Sequence, residues 1–125
     1  MARDKLTTDS RYADAALHGG APQITSIQYR FVDGDTTGQV LIPTEHPTEI
    51  EFARTGNVFS FSAAVYGENY KTVTKEVKLN DEVYVGLFVC SHNDTVMEQA
   101  KFSNVRIIIP PHTVTNLIQI ISGAI

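Results

Sequence analysis

The stretch Glu49–Tyr66, EIEFARTGNVFSFSAAVY, decides the fold class of this chain. Before the turn at residues 55–57, Ile50 and Phe52 alternate with glutamates, so apolar and polar side chains point to opposite faces. After the turn, apolar residues again recur at every second position, beginning at Phe59. Two alternating runs joined across a Gly-Asn turn predict an antiparallel β-hairpin.

Six further segments carry strand signals of the same kind. Each is rich in β-branched, aromatic or alternating residues and is bounded by Gly, Pro, Asn or Asp. They are Tyr12–His18 (a strand or a single helical turn), Gln23–Phe31, Gln39–Ile42, Val73–Leu79, Val83–Cys90 and Lys101–Ile109. About eight short strands at this spacing are typical of an antiparallel sandwich or barrel. We therefore predict an all-β chain, an antiparallel β-sandwich, with one short helix near residues 94–100, DTVMEQA.

The composition argues against several kinds of binding partner for this chain. The 125 residues fit one domain, and the net charge of −4 comes without a basic cluster, which argues against a nucleic-acid partner. One cysteine excludes an internal disulfide, and no apolar run reaches the ~20 residues of a membrane span. The N-terminal residues lack an apolar signal segment, so the sequence leaves the localisation open. No cofactor is expected.

The C-terminal stretch from Thr113, TVTNLIQIISGAI, has no charged side chain and is rich in Ile and Leu. Such a surface is unfavourable in water, so we expect the stretch to dock as a helix or a strand. The predicted organisation is a sandwich domain over residues 1–110 and an apolar tail over residues 111–125.

Two groups of residues raise the question of reactive or metal chemistry. Cys90 and His92 could form an activated thiolate, but a packed thiol beside a loop histidine is the favoured interpretation. The four histidines, His18, His46, His92 and His112, follow no metal-ligand spacing. Asp33-Gly34-Asp35 and Asn93-Asp94 carry oxygens suited to calcium, although turn chemistry is their commoner role. We predict no catalytic residue and no metal ligand.

A polar strand face suggests a binding surface instead. Ser26, Gln28 and Arg30 share one face of a predicted strand, and Arg and Gln are suited to hydroxyl-rich or anionic ligands. We expect hydrogen bonds to a ligand from His18, Gln28, Arg30 and His92, and stacking of a sugar on Tyr84. The enzyme alternative is a glycoside hydrolase that uses Glu49 and Glu51, which project from one strand face.

Three segments resemble a known family. They are SRYADAALHGGAPQITSIQYR (10–30), GNVFSFSAAV (56–65) and YVGLFVCSHNDTVMEQAKFSNVRI (84–107). Together they are similar to the concanavalin A-like lectin/glucanase jelly-roll domain of the DUF1349 type, which is often attached to TolB-like or "biopolymer transporter" propeller proteins. The most specific matches are residues 85–87, 91–92 and 100–105, and the resemblance covers about residues 1–110.

The resemblance implies a non-catalytic carbohydrate- or cell-envelope-binding accessory module whose full-length relatives are periplasmic or extracellular. The glucanase pattern Glu-x-Asp-x-x-Glu of the wider superfamily is missing from residues 49–54. The chain resembles the C-terminal half of the jelly roll only. A third hypothesis follows, an interaction domain that self-associates or is completed by strands of another chain through exposed sheet edges.

Overall fold

In a computed structural model of the chain, the structure describes residues 1–109 and the backbone of one C-terminal strand. The described residues form ten β-strands and no helix, which confirms the all-β prediction. The strands are β1 (Ala2–Arg3), β2 (Tyr12–His18), β3 (Ile24–Arg30), β4 (Gly38–Ile42), β5 (Glu49–Thr55), β6 (Val58–Ala64), β7 (Lys71–Glu76), β8 (Tyr84–Val85), β9 (Phe102–Ile108) and β10 (Ile118–Ala124).

Two antiparallel sheets of five strands pack as a sandwich. The first sheet has the order β4-β3-β2-β1-β8, and the second has the order β7-β6-β5-β10-β9. The predicted hairpin is β5–β6: Thr55 pairs with Val58, and Gly56 has a φ of 60°. A positive φ at the first loop residue suits a tight hairpin turn, and glycine adopts it without a steric penalty.

The core lies between the two sheets and follows the period-two pattern of the strands. Ile27 on β3 is fully buried, as are Phe59 and Phe61 on β6, and Phe52 stacks on Phe59 with ring centroids 5.6 Å apart. Each such side chain contributes about 1.5–3 kcal/mol by leaving water. The apolar side chains that alternate along the hairpin therefore point into the core, as predicted.

A buried arginine closes one end of this core. Arg54 is 2 % exposed and donates hydrogen bonds to the carbonyl oxygens of Gly56 (2.7 Å), Asn80 (2.8 Å) and Leu79 (3.1 Å). Its guanidinium also lies over the Phe59 ring, 5.4 Å from the centroid. The side chain thus ties the β5–β6 turn to the segment that crosses from the second sheet to the first.

The helix predicted near residues 94–100 is wrong, because this segment forms turns and irregular chain. Asn93 Oδ1 accepts hydrogen bonds from the Thr95 amide (3.0 Å) and hydroxyl (2.8 Å), which fixes a local turn. Val96 and Met97 are 46 % and 88 % exposed, so a helix here would bury no apolar face. Barely two turns without tertiary packing do not repay the cost of helix nucleation.

The strand predicted over Val83–Cys90 is also wrong in extent, since only Tyr84 and Val85 form β8. The reason is the length of its neighbour. β8 pairs with β1, and β1 itself contains only Ala2 and Arg3. Beyond that ladder none of the described strands pairs with the apolar residues 87–89, and each of them is between 39 % and 56 % exposed.

The C-terminal stretch expected to dock as a helix or a strand contributes β10. This strand pairs with β5 on one side and with β9 on the other, with a register shift between Ile121 and Gly123. Residues 110–117, which include His112, and Ile125 lie outside the described residues. Over the part of the chain that the structure describes, no helix is long and apolar enough to cross a membrane.

Candidate functional site

A cavity with a volume of about 530 Å³ lies beside the end of β2. Residues Ala15–His18 of β2 line one side and residues Gly86–Cys90 line the other. Ile50 and Phe52 of the second sheet provide an apolar floor. The cavity is therefore bounded by both sheets and by the chain that follows β8.

Three of the predicted ligand-binding residues come together at this cavity, and we call them the polar mouth: His18, Gln28 and His92. The Gln28 amide nitrogen lies 3.3 Å from His18 Nε2 and donates to it when the imidazole carries its proton on Nδ1. The rings of His18 and His92 lie nearly parallel, with centroids 6.3 Å apart and an interplanar angle of 16°. Donors and acceptors of three side chains thus converge on one edge of the cavity.

The cavity has a second polar element that the sequence patterns did not single out as a binding residue. Gln23 Oε1 accepts a hydrogen bond of 2.8 Å from the His46 amide, and both residues line the cavity. His46 and His92 have φ angles of 49° and 56°, in the left-handed region that non-glycine residues seldom occupy. The 43–47 loop follows β4, and only the packing of the two sheets brings it to the cavity, so no local signal could have revealed it.

The other two predicted ligand-binding residues lie elsewhere. Arg30 shares a strand face with Gln28, but its Nη1 donates to the carbonyl oxygens of Thr8 (2.9 Å) and Ser10 (3.3 Å). Its guanidinium also stacks over Tyr12, 5.3 Å from the ring centroid. Tyr84 pairs with Arg3 at the other end of the β1–β8 ladder and is 54 % exposed. Neither Arg30 nor Tyr84 lines the cavity.

A buried acid lies behind the polar mouth. Asp14 is 1 % exposed, pairs across the strands with Gln28, and leaves its Oδ1 without a hydrogen-bond partner. Burial raises the pKa of the Asp14 carboxyl to about 7, while the nearby α-ammonium of Met1 works in the opposite direction. Burial also lowers the pKa of that ammonium, since both ions lose hydration in the interior. A carboxyl with this pKa changes charge near neutral pH.

The Cys90 and His92 side chains do not form a hydrogen-bonded pair among the described contacts. Cys90 is exposed, and its sulfur accepts a hydrogen bond from the main-chain amide of His92 at 3.4 Å. Ser91 Oγ donates to the Asn93 carbonyl oxygen at 2.6 Å. His92 therefore lies in a polar turn, as favoured from the sequence, but the packed thiol expected beside it is wrong, because Cys90 is exposed.

The oxygens considered for calcium take part in local structure. Asp33 accepts hydrogen bonds from Lys5 Nζ (2.6 Å) and from the Arg11 amide (2.8 Å), and the Lys5 hydrogen bond holds its pKa below the usual range. Asn93 Oδ1 is engaged by Thr95, as described above. Within the described residues, no group of three or more His, Cys, Asp or Glu side chains is arranged to hold a metal ion.

The two glutamates of the enzyme alternative lie on the outer face of the second sheet. They alternate along β5 with Ile50 and Phe52, whose side chains face the cavity, so they project to the opposite side. Glu49 Oε2 accepts a hydrogen bond of 3.1 Å from the Tyr70 hydroxyl. Desolvation, together with this hydrogen bond, raises the pKa of Tyr70.

No family model, curated protein or solved structure matches the chain. The similarity to the DUF1349-type jelly roll thus stays a prediction that rests on the residues quoted for it.

Proposed function

We propose that the chain is a non-catalytic β-sandwich module that binds carbohydrate, or a glycan of the cell envelope, at the polar mouth. One observation carries the proposal: His18, Gln28 and His92 converge at one edge of a cavity whose floor is apolar. The resemblance adds the context of an accessory domain in a TolB-like, biopolymer transporter-related protein.

The chemistry of the cavity favours an uncharged ligand rich in hydroxyl groups. Lys101 is the one Lys, Arg, Asp or Glu side chain among the described residues that line it. Imidazole and amide groups both donate and accept hydrogen bonds, as a sugar hydroxyl does. Phe88 and Phe102 also line the cavity and offer aromatic surface to the apolar face of a sugar ring. A volume of about 530 Å³ is in the range of small-molecule sites.

The position of the carboxylates supports binding over hydrolysis. Glycoside hydrolases place two carboxyl groups on either side of the bond that they cleave. Glu49 and Glu51 lie on the face of β5 that points away from the cavity. A ligand held at the polar mouth is therefore separated from both glutamates by the second sheet.

Glycan-array screening followed by calorimetric titration tests the proposal. Gln28→Ala removes an amide from the polar mouth and should weaken binding about tenfold, the equivalent of one or two hydrogen bonds. Gln39→Ala is the matched control, because Gln39 is exposed, pairs with Gln28 on β4 and does not line the cavity. An array without a glycan hit, or equal losses in the two variants, would refute the proposal.

A second candidate function is an interaction domain completed by another chain. The observation that favours it is the outer strand of the second sheet, β9, which among the described strands pairs with β10 alone. Val105, Ile107 and Ile108 of this strand, and Ile109 directly after it, are each between 38 % and 73 % exposed. An apolar edge strand of this kind is a template for pairing with a further strand.

A further inference from the structure

A second cavity, with a volume of about 540 Å³, lies where β3 begins, β4 ends and β7 begins. The segments 22–25 and 41–45 line it together with Lys71, and its apolar surface includes Ile24 and Leu41. Gln23 is the one residue that it shares with the described lining of the glycan cavity, so the two cavities are distinct. Its volume is also in the range of small-molecule sites.

Two buried threonine hydroxyls at this second cavity have no hydrogen-bond partner among the described residues. Thr25 and Thr44 line the cavity and are 2 % and 8 % exposed, and the Oγ1 atom of each is unpartnered. A buried hydroxyl without a hydrogen bond destabilises a fold, so such atoms are uncommon in protein interiors. Rotation about χ1 exchanges the hydroxyl and the methyl group of a threonine, which are similar in size. Either oxygen can therefore turn towards a polar group inside the cavity.

Opposite charges line the same cavity without pairing. Lys71 and Glu45 are both exposed, and over the part of the chain that the structure describes no ion pair joins them. Lys71 Nζ donates a hydrogen bond of 2.5 Å to the Pro43 carbonyl oxygen, which places the ammonium at the peptide bond before Thr44. An ammonium has three N–H donors, so Lys71 can keep this hydrogen bond and also bind a carboxylate. Glu45 can accept hydrogen bonds from a positively charged group.

We propose that this second cavity binds a free α-amino acid with an aliphatic side chain. Lys71 and the two threonine hydroxyls bind the carboxylate, and Glu45 binds the α-ammonium. The side chain of the ligand packs on the apolar surface that includes Ile24 and Leu41. A free amino acid carries both charges, whereas the terminal residue of a peptide carries only one of them at its main chain, so the two charged side chains favour the free molecule. The inference does not rest on glycan binding, because it uses another cavity.

Three ligands that differ in their charged groups test the assignment. L-leucine carries both charges, L-leucinamide lacks the carboxylate and N-acetyl-L-leucine lacks the ammonium. Each is titrated into the full chain up to millimolar concentration, and amide chemical shifts are followed by NMR. Leucine should bind about tenfold more tightly than either blocked form, since each of these loses a charge-assisted interaction, and the shifts should concentrate at residues 22–25, 41–45 and 71. No binding of leucine, equal affinities for the three ligands, or shifts centred elsewhere would overturn the proposal.

Variants of the two charged residues assign each end of the ligand. Lys71→Met should abolish the preference for leucine over leucinamide, and Glu45→Gln should abolish the preference for leucine over N-acetylleucine. Lys78→Met and Glu76→Gln are the matched controls, because both residues are exposed and neither lines the cavity. Preferences that survive in both site variants, or that are lost in the controls, would contradict the assignment.

The buried hydroxyls supply a readout that a purely structural role would not give. Thr25→Val and Thr44→Val each replace a hydroxyl with a methyl group of similar size. Each should raise the Tm of the ligand-free chain by about 3 °C, because an unpaired buried hydroxyl is removed, and should weaken leucine binding about fivefold. Thr74→Val, at an exposed position of β7 outside the cavity, should change neither value. Unchanged leucine affinity, or a lower Tm, in both site variants would overturn the role of these hydroxyls.

The glycan proposal and the amino-acid proposal fail independently. Lys71→Met should leave glycan binding unchanged, and Gln28→Ala should leave leucine binding unchanged, because each residue lines only one of the two cavities. A glycan array without a hit does not affect the leucine titration. Loss of both kinds of binding in either variant would contradict the separation of the two sites.

Discussion

The side-chain amide of Gln28 and the imidazole of His18 are joined by a hydrogen bond of 3.3 Å across neighbouring strands of the first sheet. His18 is also stacked near His92, with ring centroids 6.3 Å apart. Gln28 on β3 therefore orients His18 on β2, and His18 lies against His92, which belongs to the loop on the opposite side of the cavity. The polar mouth is a connected unit and not three independent side chains.

Connected side chains should contribute to ligand binding non-additively. In a double-mutant cycle with His18→Ala and Gln28→Ala, we expect each single variant to weaken glycan binding about tenfold. The double variant should lose less than the hundredfold that independent sites would give, by a coupling energy of about 1 kcal/mol. Titration calorimetry with the best array glycan measures the cycle. Strict additivity would show that the hydrogen bond does not orient the ligand-binding groups.

The raised pKa of Asp14 makes stability depend on pH. The folded-state pKa of about 7 lies above the ordinary value of 3.8, so the folded chain binds more protons than the unfolded chain between these values. The contribution of Asp14 to the free energy of unfolding is therefore full below about pH 4 and is lost as the pH rises to 7. Asp14→Asn should remove this dependence and raise stability at pH 8 relative to the unmodified chain, by a few kcal/mol on the order of the pKa shift.

Urea unfolding at pH 5 and pH 8 measures the effect. Asp94→Asn is the control, because Asp94 is exposed in a loop. The same change of charge there should leave the free energy of unfolding nearly unaltered at both pH values. A stability difference between Asp14→Asn and the unmodified chain that does not change between the two pH values would contradict the prediction.

Arg54 should be the most sensitive polar position in the core. Arg54→Met keeps the length of the apolar side chain but leaves the carbonyl oxygens of Gly56, Leu79 and Asn80 without these donors. Buried groups left unpaired in this way cost about 1–3 kcal/mol each, so we expect a total loss of roughly 3–5 kcal/mol. Arg106→Met on exposed β9 is the matched control and should change thermal stability little. Similar losses in both variants would show that the three hydrogen bonds are not stabilising.

The side chain of Tyr29 leaves no room for a Cβ atom at position 38, which is occupied by glycine. A Cβ atom at Gly38 would lie 2.6–2.8 Å from two atoms of the Tyr29 ring and from its hydroxyl oxygen, and Lys75 Nζ lies 4.5 Å from the centroid of the same ring. Gly38→Ala must therefore displace a side chain packed against the core, at a cost of about 1–3 kcal/mol. Gly19→Ala is the control, since a Cβ there meets no atom within 4 Å. Equal denaturant midpoints for the two variants would mean that the ring moves aside without penalty.

The parts of the structure that the sequence predicts well are those fixed by local pattern. The β5–β6 hairpin follows from alternation and a turn between neighbouring segments. The extent of β8 does not, because it is limited by the length of β1, more than 80 positions away along the chain. The segment 94–100 has helical propensity but no surface to pack on, which propensity alone does not show.

The candidate site likewise contains residues that a local sequence pattern predicts and residues that depend on tertiary structure. The polar face that carries Gln28 was visible in the alternation of its own strand, but its pairing beside His18 was not, because the sequence left residues 12–18 open between a strand and a helical turn. Arg30 shows the limit of that reasoning: it follows the same alternation, yet its guanidinium is held by the carbonyl oxygens of Thr8 and Ser10. The burial of Asp14 also escapes the pattern, because it depends on which segments of the chain lie over the outer face of the first sheet.

The exposed edge of β9 should drive self-association. Ile107 is 58 % exposed on β9, which has a pairing partner on one side only within the described residues, so a second copy can add to the sheet and bury apolar surface. We expect the apparent mass from size-exclusion chromatography with light scattering to rise with concentration in the micromolar range. Ile107→Lys should shift the chain towards the monomer, because a charge on the edge opposes pairing. Leu6→Lys, at a loop position that is 72 % exposed, should leave the mass unchanged. A monomer at every concentration would rule out this edge as a self-association surface.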